Sequence, residues 1–353
     1  MPYREADLGR VTTVPVAGRR NKVDRRLLAA PPGTDRSFAS FLASLPDLLA
    51  SKDLRHIIDA VADAQLKGRG VILLLGGHVV KVGLGPLINA WLARGIVTHV
   101  ALNGAAAIHD FELAAFGGTS EDVEAGLADG SFGMAEETGA EMNAAIIAAA
   151  RADHGMGEGL TRALGKREQL PGADASILLA AQRHDVPVTV HAAIGAEIIH
   201  QHPAADGAAI GATSHRDFRR LAASIPDLHQ GGVVLNWGSA VLMPEIFLKA
   251  LTIARNLWSG RPTHFTAADF DMQRHYRPRV NVVQRPTQAG GSGFLLTGHH
   301  EILIPLLVWG VLEKVDSRQS PVASRRLPPD SQGSEHRKSP PGKSAGRARS
   351  EGR

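Results

Sequence analysis

Apolar positions in this chain follow two rhythms. Short, mostly apolar runs lie at Val71 to Leu75, Ile96 to Leu102, Val186 to His191, within Gly231 to Ser239, at Thr263 to Asp269 and at Phe294 to Thr297. Each is four to nine residues long and ends at glycine or a polar side chain, as buried strands do. Between them, apolar residues recur at helical spacing over Ser37 to Leu49, Leu54 to Leu66, Glu136 to Ala152, Ala173 to His184 and Val241 to Leu257. A further helix is predicted from Gly77 or soon after to Arg94, one opening at His109-Asp110-Phe111-Glu112, and one near His215 to Ser224. Thr119-Ser120-Glu121-Asp122 reads as a helix cap, and the last helix starts near His299-His300-Glu301 and reaches Lys314. Residues 153–172 and the stretch Met272 to Gly293 read as loops, the first with room for short helices.

Strands separated by helical segments of this length predict a parallel sheet with right-handed crossovers. The expected fold is therefore α/β and Rossmann-like, a mostly parallel central sheet flanked by helices. The stretch GVILLLGGHVVKVGL, 70–84, gives the pattern in miniature: a buried strand, a glycine turn, then a helix. Ligands in such sheets sit beyond the carboxyl ends of the strands, where backbone N–H groups point at them.

Charge divides the chain further. Nine of the 39 Lys and Arg residues but only three of the 35 acids fall after residue 316, which leaves 30 basic against 32 acidic residues before it. The body is near neutral, and the basic excess belongs to a tail rich in Ser, Pro, Gly and Arg that cannot bury enough apolar surface to fold. We expect an N-terminal arm over 1–35, one α/β domain over 36–316 and a disordered basic tail over 317–353, with no specific nucleic-acid partner. There is no cysteine, so disulfides, thiolate metal sites and Cys nucleophiles are excluded. No apolar run nears the roughly 20 residues of a membrane span. A cytoplasmic, non-membrane protein is the expectation.

Glycines after strands, at Gly76-Gly77, Gly104, Gly195 and Gly238, permit close backbone approach to a phosphate or simply relieve a turn. The GxGxxG spacing is absent, and WGSAV at 237–241 lacks the second glycine of a nucleophile elbow. Histidines are the second signal. His78, His109, His191, His200, His202, His299 and His300 all fall near strand ends or helix starts, which share one rim in a parallel sheet. Such a rim could supply a general base near neutral pH, or a metal site with Asp110 and Glu301, although no HExxH spacing is present.

Several blocks together resemble deoxyhypusine synthase, closest to a bacterial branch of that superfamily. They are LGGHVVKVGL at 75–84, VALNGAAAIHD at 100–110, SILLAAQRHDVPV at 176–188 leading to AAIGAE, GGVVLNWG at 231–238 and EILIPLLV at 301–308. The resemblance implies a Rossmann-like sheet, NAD at the strand ends, a homotetramer with active sites between paired subunits, and transferase chemistry through a lysine imine. It places Gly76, Gly77, His78, Asn103, Gly104 and His299 at the cofactor. The family's Trp-Gly-Lys motif is missing, however: 280–294 reads VNVVQRPTQAGGSGF, and no lysine lies between Lys249 and Lys314. Arg285, the nearest cation, stays protonated and cannot form an imine. Family acids become Gly195, His200 and His109, and a Lys-His pair becomes Asn236-Trp237, which weakens attraction for a polyamine.

The resulting expectation is an NAD- or nucleotide-dependent transfer or redox enzyme for a small molecule, distinct from true deoxyhypusine synthase. His109 or His200 would act as acid or base, Asp110 would orient a histidine, Asn236 would position substrate and Lys81 would be the substitute amine. A metal-dependent hydrolase or lyase built on His78, His109, His200 and His299 is the alternative, and a non-catalytic ligand-binding oligomer a third.

Overall fold

The computed structural model describes residues 3–319. Six strands form one sheet: β1 (Val71–Leu75), β2 (His99–Asn103), β3 (Val188–His191), β4 (Val233–Trp237), β5 (Thr266–Asp271) and β6 (Ser292–Thr297). They lie in the order β3-β2-β1-β4-β5-β6, and every pairing is parallel. This is the doubly wound order whose direction of winding reverses between β1 and β4.

All five residues of β1 are fully buried, because helices cover both faces of the sheet. Alternate side chains serve two cores. Leu73, Leu75, Leu235, Trp237 and Phe270 pack with Ile57, Trp91 and Val308 on one side. Ile72, Leu74, Ala101 and Val234 pack with Leu221, Met243, Phe247 and Leu251 on the other.

The helices are α1 (Phe38–Ser44), α2 (Leu49–Leu66), α3 (Gly77–Lys81), α4 (Gly85–Ala93), α5 (Gly104–Phe116), α6 (Val123–Asp129), α7 (Glu136–Arg151), α8 (Met156–Leu164), α9 (Ile177–Arg183), α10 (Gly207–Ser224), α11 (Leu242–Leu257), the single turn α12 (Arg285–Thr287) and α13 (His300–Gln319). Among the described residues, no helix is long and apolar enough to cross a membrane.

Two segments differ from the sequence reading, α5 and the stretch Met272 to Gly293, and between them 153–172 takes the short-helix form it allowed. Helix α5 starts at Gly104, not at His109, because the Asn103 side chain caps it by accepting from the Ala106 N–H at 2.8 Å. His109 and Asp110 therefore lie mid-helix. Residues 156–164 are helical; the glycines that read as breakers let α8 press against its neighbours, since a Cβ on Gly157 would overlap the Val188 carbonyl. The stretch Met272 to Gly293 holds a π-helical segment, Pro278–Gln284, with Val280, Val282 and Val283 buried, followed by α12.

Residues 3–35 are almost wholly exposed and hold only three single 3-10 turns. Helix α13 runs three residues past 316, its Arg318 meeting Asp63 of α2. The basic tail expected beyond lies, from residue 320 on, outside the described residues.

Candidate functional site

Where the winding reverses, two backbone turns touch. The Gly76 N–H donates to the Trp237 carbonyl at 2.9 Å, and a Cβ on Gly76 would overlap the carbonyl oxygen of Gly238. His300 covers the Gly238 turn. Its Nε2–H donates to the Phe270 carbonyl at 3.0 Å, so its Nδ1 is an acceptor, and the His78 Nδ1–H donates to it at 3.3 Å. That assignment leaves the His78 Nε2 lone pair unprotonated. Burial, then neighbouring His300, holds the His78 pKa below its ordinary value. His299 is two-thirds exposed and stands 3.6 Å from Glu301 instead. The histidine that closes on the turn is thus His300, one residue from the position read off the sequence.

Beside this crevice, above β2 and β3, lies a cavity of about 210 Å³ lined in part by Lys81, Ile108, His109, Glu112, Phe132 and Glu197. Glu112 anchors one wall, accepting from the hydroxyls of Thr119 and Thr138. Since Thr119 gives its proton to Glu112, it accepts one from His109, whose Nδ1 is 2.7 Å away. Nδ1 of His109 is therefore the protonated nitrogen and Nε2 carries a lone pair. Burial, helped by the charge of Lys81, lowers the His109 pKa to about 4, so the ring is neutral at pH 7.

Glu197 faces the same space with the opposite tuning. Its Oε1 accepts from the Ala193 N–H at 2.8 Å, and its Oε2 lies 3.1 Å from Nδ1 of His200. That nitrogen accepts from the Gly195 N–H at 3.1 Å, so its lone pair is taken and Glu197 Oε2 is left without a hydrogen-bond partner. Burial raises the Glu197 pKa to about 7 and lowers that of His200. The seat for Glu197 is Gly104, where any Cβ would collide with its carboxyl group. Sequence reasoning passed over Glu197, and Gly104 was its only trace: a glycine at a helix start whose φ needs no glycine.

The remaining predicted residues have other work. Asp110 is buried and accepts from Ser176 Oγ (2.8 Å) and the N–H groups of Ile177 (2.7 Å) and Leu178 (3.0 Å). It caps α9 and touches no histidine. Asn236 is fully buried, donating to Asp269 Oδ1 at 2.7 Å and to the Ser239 carbonyl at 3.0 Å. It ties β4 to β5 away from the cavity. Lys81 ends α3, exposed at the cavity mouth. Among the described residues no three His, Asp or Glu side chains converge as a metal requires, because His78, His109, His200 and His299 each face a different neighbour. The metal reading of the rim is not supported.

For a dinucleotide the residues fit in part. The room at Gly76 is filled by the Gly238 carbonyl and that at Gly77 by Ala105 and His109, while the unprotonated His78 Nε2 is a free acceptor. Asn103 and Gly104 are committed to the α5 cap and to Glu197.

No family model and no curated protein matches the chain. Solved structures do. A provisionally assigned LOR/SDH protein from Methanococcus maripaludis S2 is similar at a TM-score of 0.46 and 15% identity, over 74% of this chain and 69% of that one. A provisionally assigned deoxyhypusine synthase from Entamoeba histolytica is similar at 0.46 and 11%, over 78% and 93%. AgrE, solved with ornithine and NAD+, is similar at 0.44 and 13%, over 76% of this chain but only 33% of its own length.

Proposed function

We propose that the chain is an enzyme of deoxyhypusine synthase-like fold that moves protons on a small molecule in the cavity between His109 and Glu197. NAD or a related nucleotide would bind at Gly76, Gly77 and His78. One observation carries the reading: a neutral histidine and a carboxyl group that burial keeps partly protonated at neutral pH line one cavity. His109 is pushed down to about 4 and Glu197 up to about 7. Two groups whose surroundings drive their pKa values apart are the usual arrangement of a base and an acid at pH 7.

In this reading His109 accepts a proton at Nε2 while Thr119 and Glu112 hold its ring, and the Glu197 carboxyl supplies a proton across the cavity. Lys81 is the available amine at the mouth, in place of the missing family lysine. NAD, when bound, would supply a hydride acceptor. The missing Trp-Gly-Lys motif keeps true deoxyhypusine synthase activity out of the proposal. A homotetramer with sites shared between subunits belongs to the same reading.

The test is native mass spectrometry of the full chain with NAD, followed by a screen of small amines for NADH absorbance. We expect four copies retaining nucleotide, and turnover lowered about 10²- to 10⁴-fold by His109→Gln. Nucleotide bound without turnover of any amine would favour the non-catalytic ligand-binding oligomer. Failure to bind nucleotide would remove the cofactor from the proposal.

A further inference from the structure

A second set of buried groups lies on the opposite face of the sheet, under α10, and the site above makes no use of it. His99 is fully buried and His191 is 1% exposed. Between them stands the Thr189 hydroxyl, 3.0 Å from His191 Nε2 and 3.0 Å from His99 Nε2. His99 Nδ1 then meets Ser224 Oγ at 2.9 Å, and Ser224 reaches the Arg220 carbonyl at 3.4 Å.

Proton positions along this chain are set from its last member. A carbonyl only accepts, so Ser224 donates to Arg220 and accepts from His99 Nδ1–H. His99 Nε2 is then bare and accepts from the Thr189 hydroxyl. Thr189 in turn accepts from His191 Nε2–H, which leaves a lone pair on His191 Nδ1. Every donor points the same way.

The two ends open on different spaces. His191 lines a cavity of about 300 Å³ at the carboxyl end of β3, walled by Ile194, Ile210, Phe218 and Leu242 and holding Ser214 and His215. Ser224 lines a cleft of about 510 Å³ at the amino end of the same strand, beside Arg220, Glu158 and Asp185. The path runs the length of β3, from one rim of the sheet to the other.

We propose that His191, Thr189, His99 and Ser224 form a proton conduit that draws a proton from a small, largely apolar ligand bearing one acidic N–H or O–H in the His191 cavity and releases it into the Ser224 cleft. The step balances. The ligand's proton bonds to His191 Nδ1, and the Nε2 proton passes to Thr189. The Thr189 proton passes to His99 Nε2, the His99 Nδ1 proton passes to Ser224, and the Ser224 hydroxyl, turned from the Arg220 carbonyl toward the cleft, gives its own proton to water. One proton enters and one leaves, with no redox change; both rings end in the opposite tautomer, and the starting state returns when a proton re-enters at Ser224 and the chain runs backward to reprotonate the ligand. Burial lowers the pKa of both histidines to about 3, so neither ring holds a second proton at neutral pH.

The test is side-chain NMR on the full, 15N-labelled chain. Wild type should show His191 protonated at Nε2, His99 at Nδ1, and both ring protons exchanging with solvent at one common rate faster than that of the Val190 amide. Thr189→Val keeps the shape and removes the hydroxyl, and it should slow both exchanges by about tenfold or more. Mere loosening of the fold would speed them. Should that variant fail to fold, Ser224→Ala blocks the exit and should slow both as well. Opposite tautomers, or ring protons that exchange only as fast as the Val190 amide and are not slowed by either variant, would overturn the conduit.

Discussion

At Gly104 a single absent methyl group decides whether the cavity can hold its acid. A Cβ there would meet the Glu197 side chain, which also receives the Ala193 N–H and faces His200. Gly104→Ala should therefore push Glu197 out of its seat and cost about 1–3 kcal/mol, as overpacking does. Urea unfolding of the variant checks this, and an unchanged midpoint would mean that the carboxyl moves freely. Chemistry of this kind is hard to read in a sequence. His109 was legible because a histidine near a strand end is conspicuous. Glu197 was not, because a lone glutamate in a loop looks like any solvated acid until its burial is known. Asp110 shows the converse error: an acid beside a histidine in sequence points a quarter-turn away in a helix and caps α9.

At the scale of elements, caps and contacts set what the apolar rhythm alone left open. The strands were legible to within about two or three residues because buried parallel strands are largely apolar runs, as β1 is throughout. Helix starts were less so. Ala105, Ala106 and Ala107 carry no polar alternation, so the start of α5 is marked only by the Asn103 cap. Asn103→Ala should cost about 1 kcal/mol, and it should loosen the first turn of α5 and with it the seat of Glu197. Hydrogen exchange at Gly104 to Ile108 reports it, and unchanged protection there would show that packing alone holds the turn. The Pro278–Gln284 segment was read as loop because prolines and arginines mask its buried valines.

The whole molecule carries two opposed sets of buried titratable groups. Burial raises Asp110 and Asp217 to about 6 and Asp269 and Glu197 to about 7. Each contributes stability that is complete below its ordinary pKa and is lost as pH rises through the folded value. Burial lowers His99 and His191 to about 3 and His109 to about 4. Their contribution is complete above the ordinary histidine value and is lost as pH falls through the folded one. Between about pH 5 and 6 the two sets act in opposite directions, so the urea midpoint should change little across that window. Glu197→Gln should then tilt the profile toward greater stability at higher pH. A wild-type midpoint that climbs or drops steeply there would contradict this balance. The parallel pairing of the strands followed from their spacing, but this balance did not, since burial belongs to the folded chain alone.

The contact of the Gly76 turn with the Gly238 turn constrains how such a chain could be altered. Two stretches 162 residues apart in sequence share one gap that has no room for a side chain on Gly76. A mutagenesis library should find Gly76 intolerant of every other residue, and no repair at Gly238 is available, because the obstacle is its carbonyl and not a side chain. The cavity between His109 and Glu197 is free of that constraint, since neither glycine lines it, and its shape can be altered at side chains such as Lys81 and Phe132.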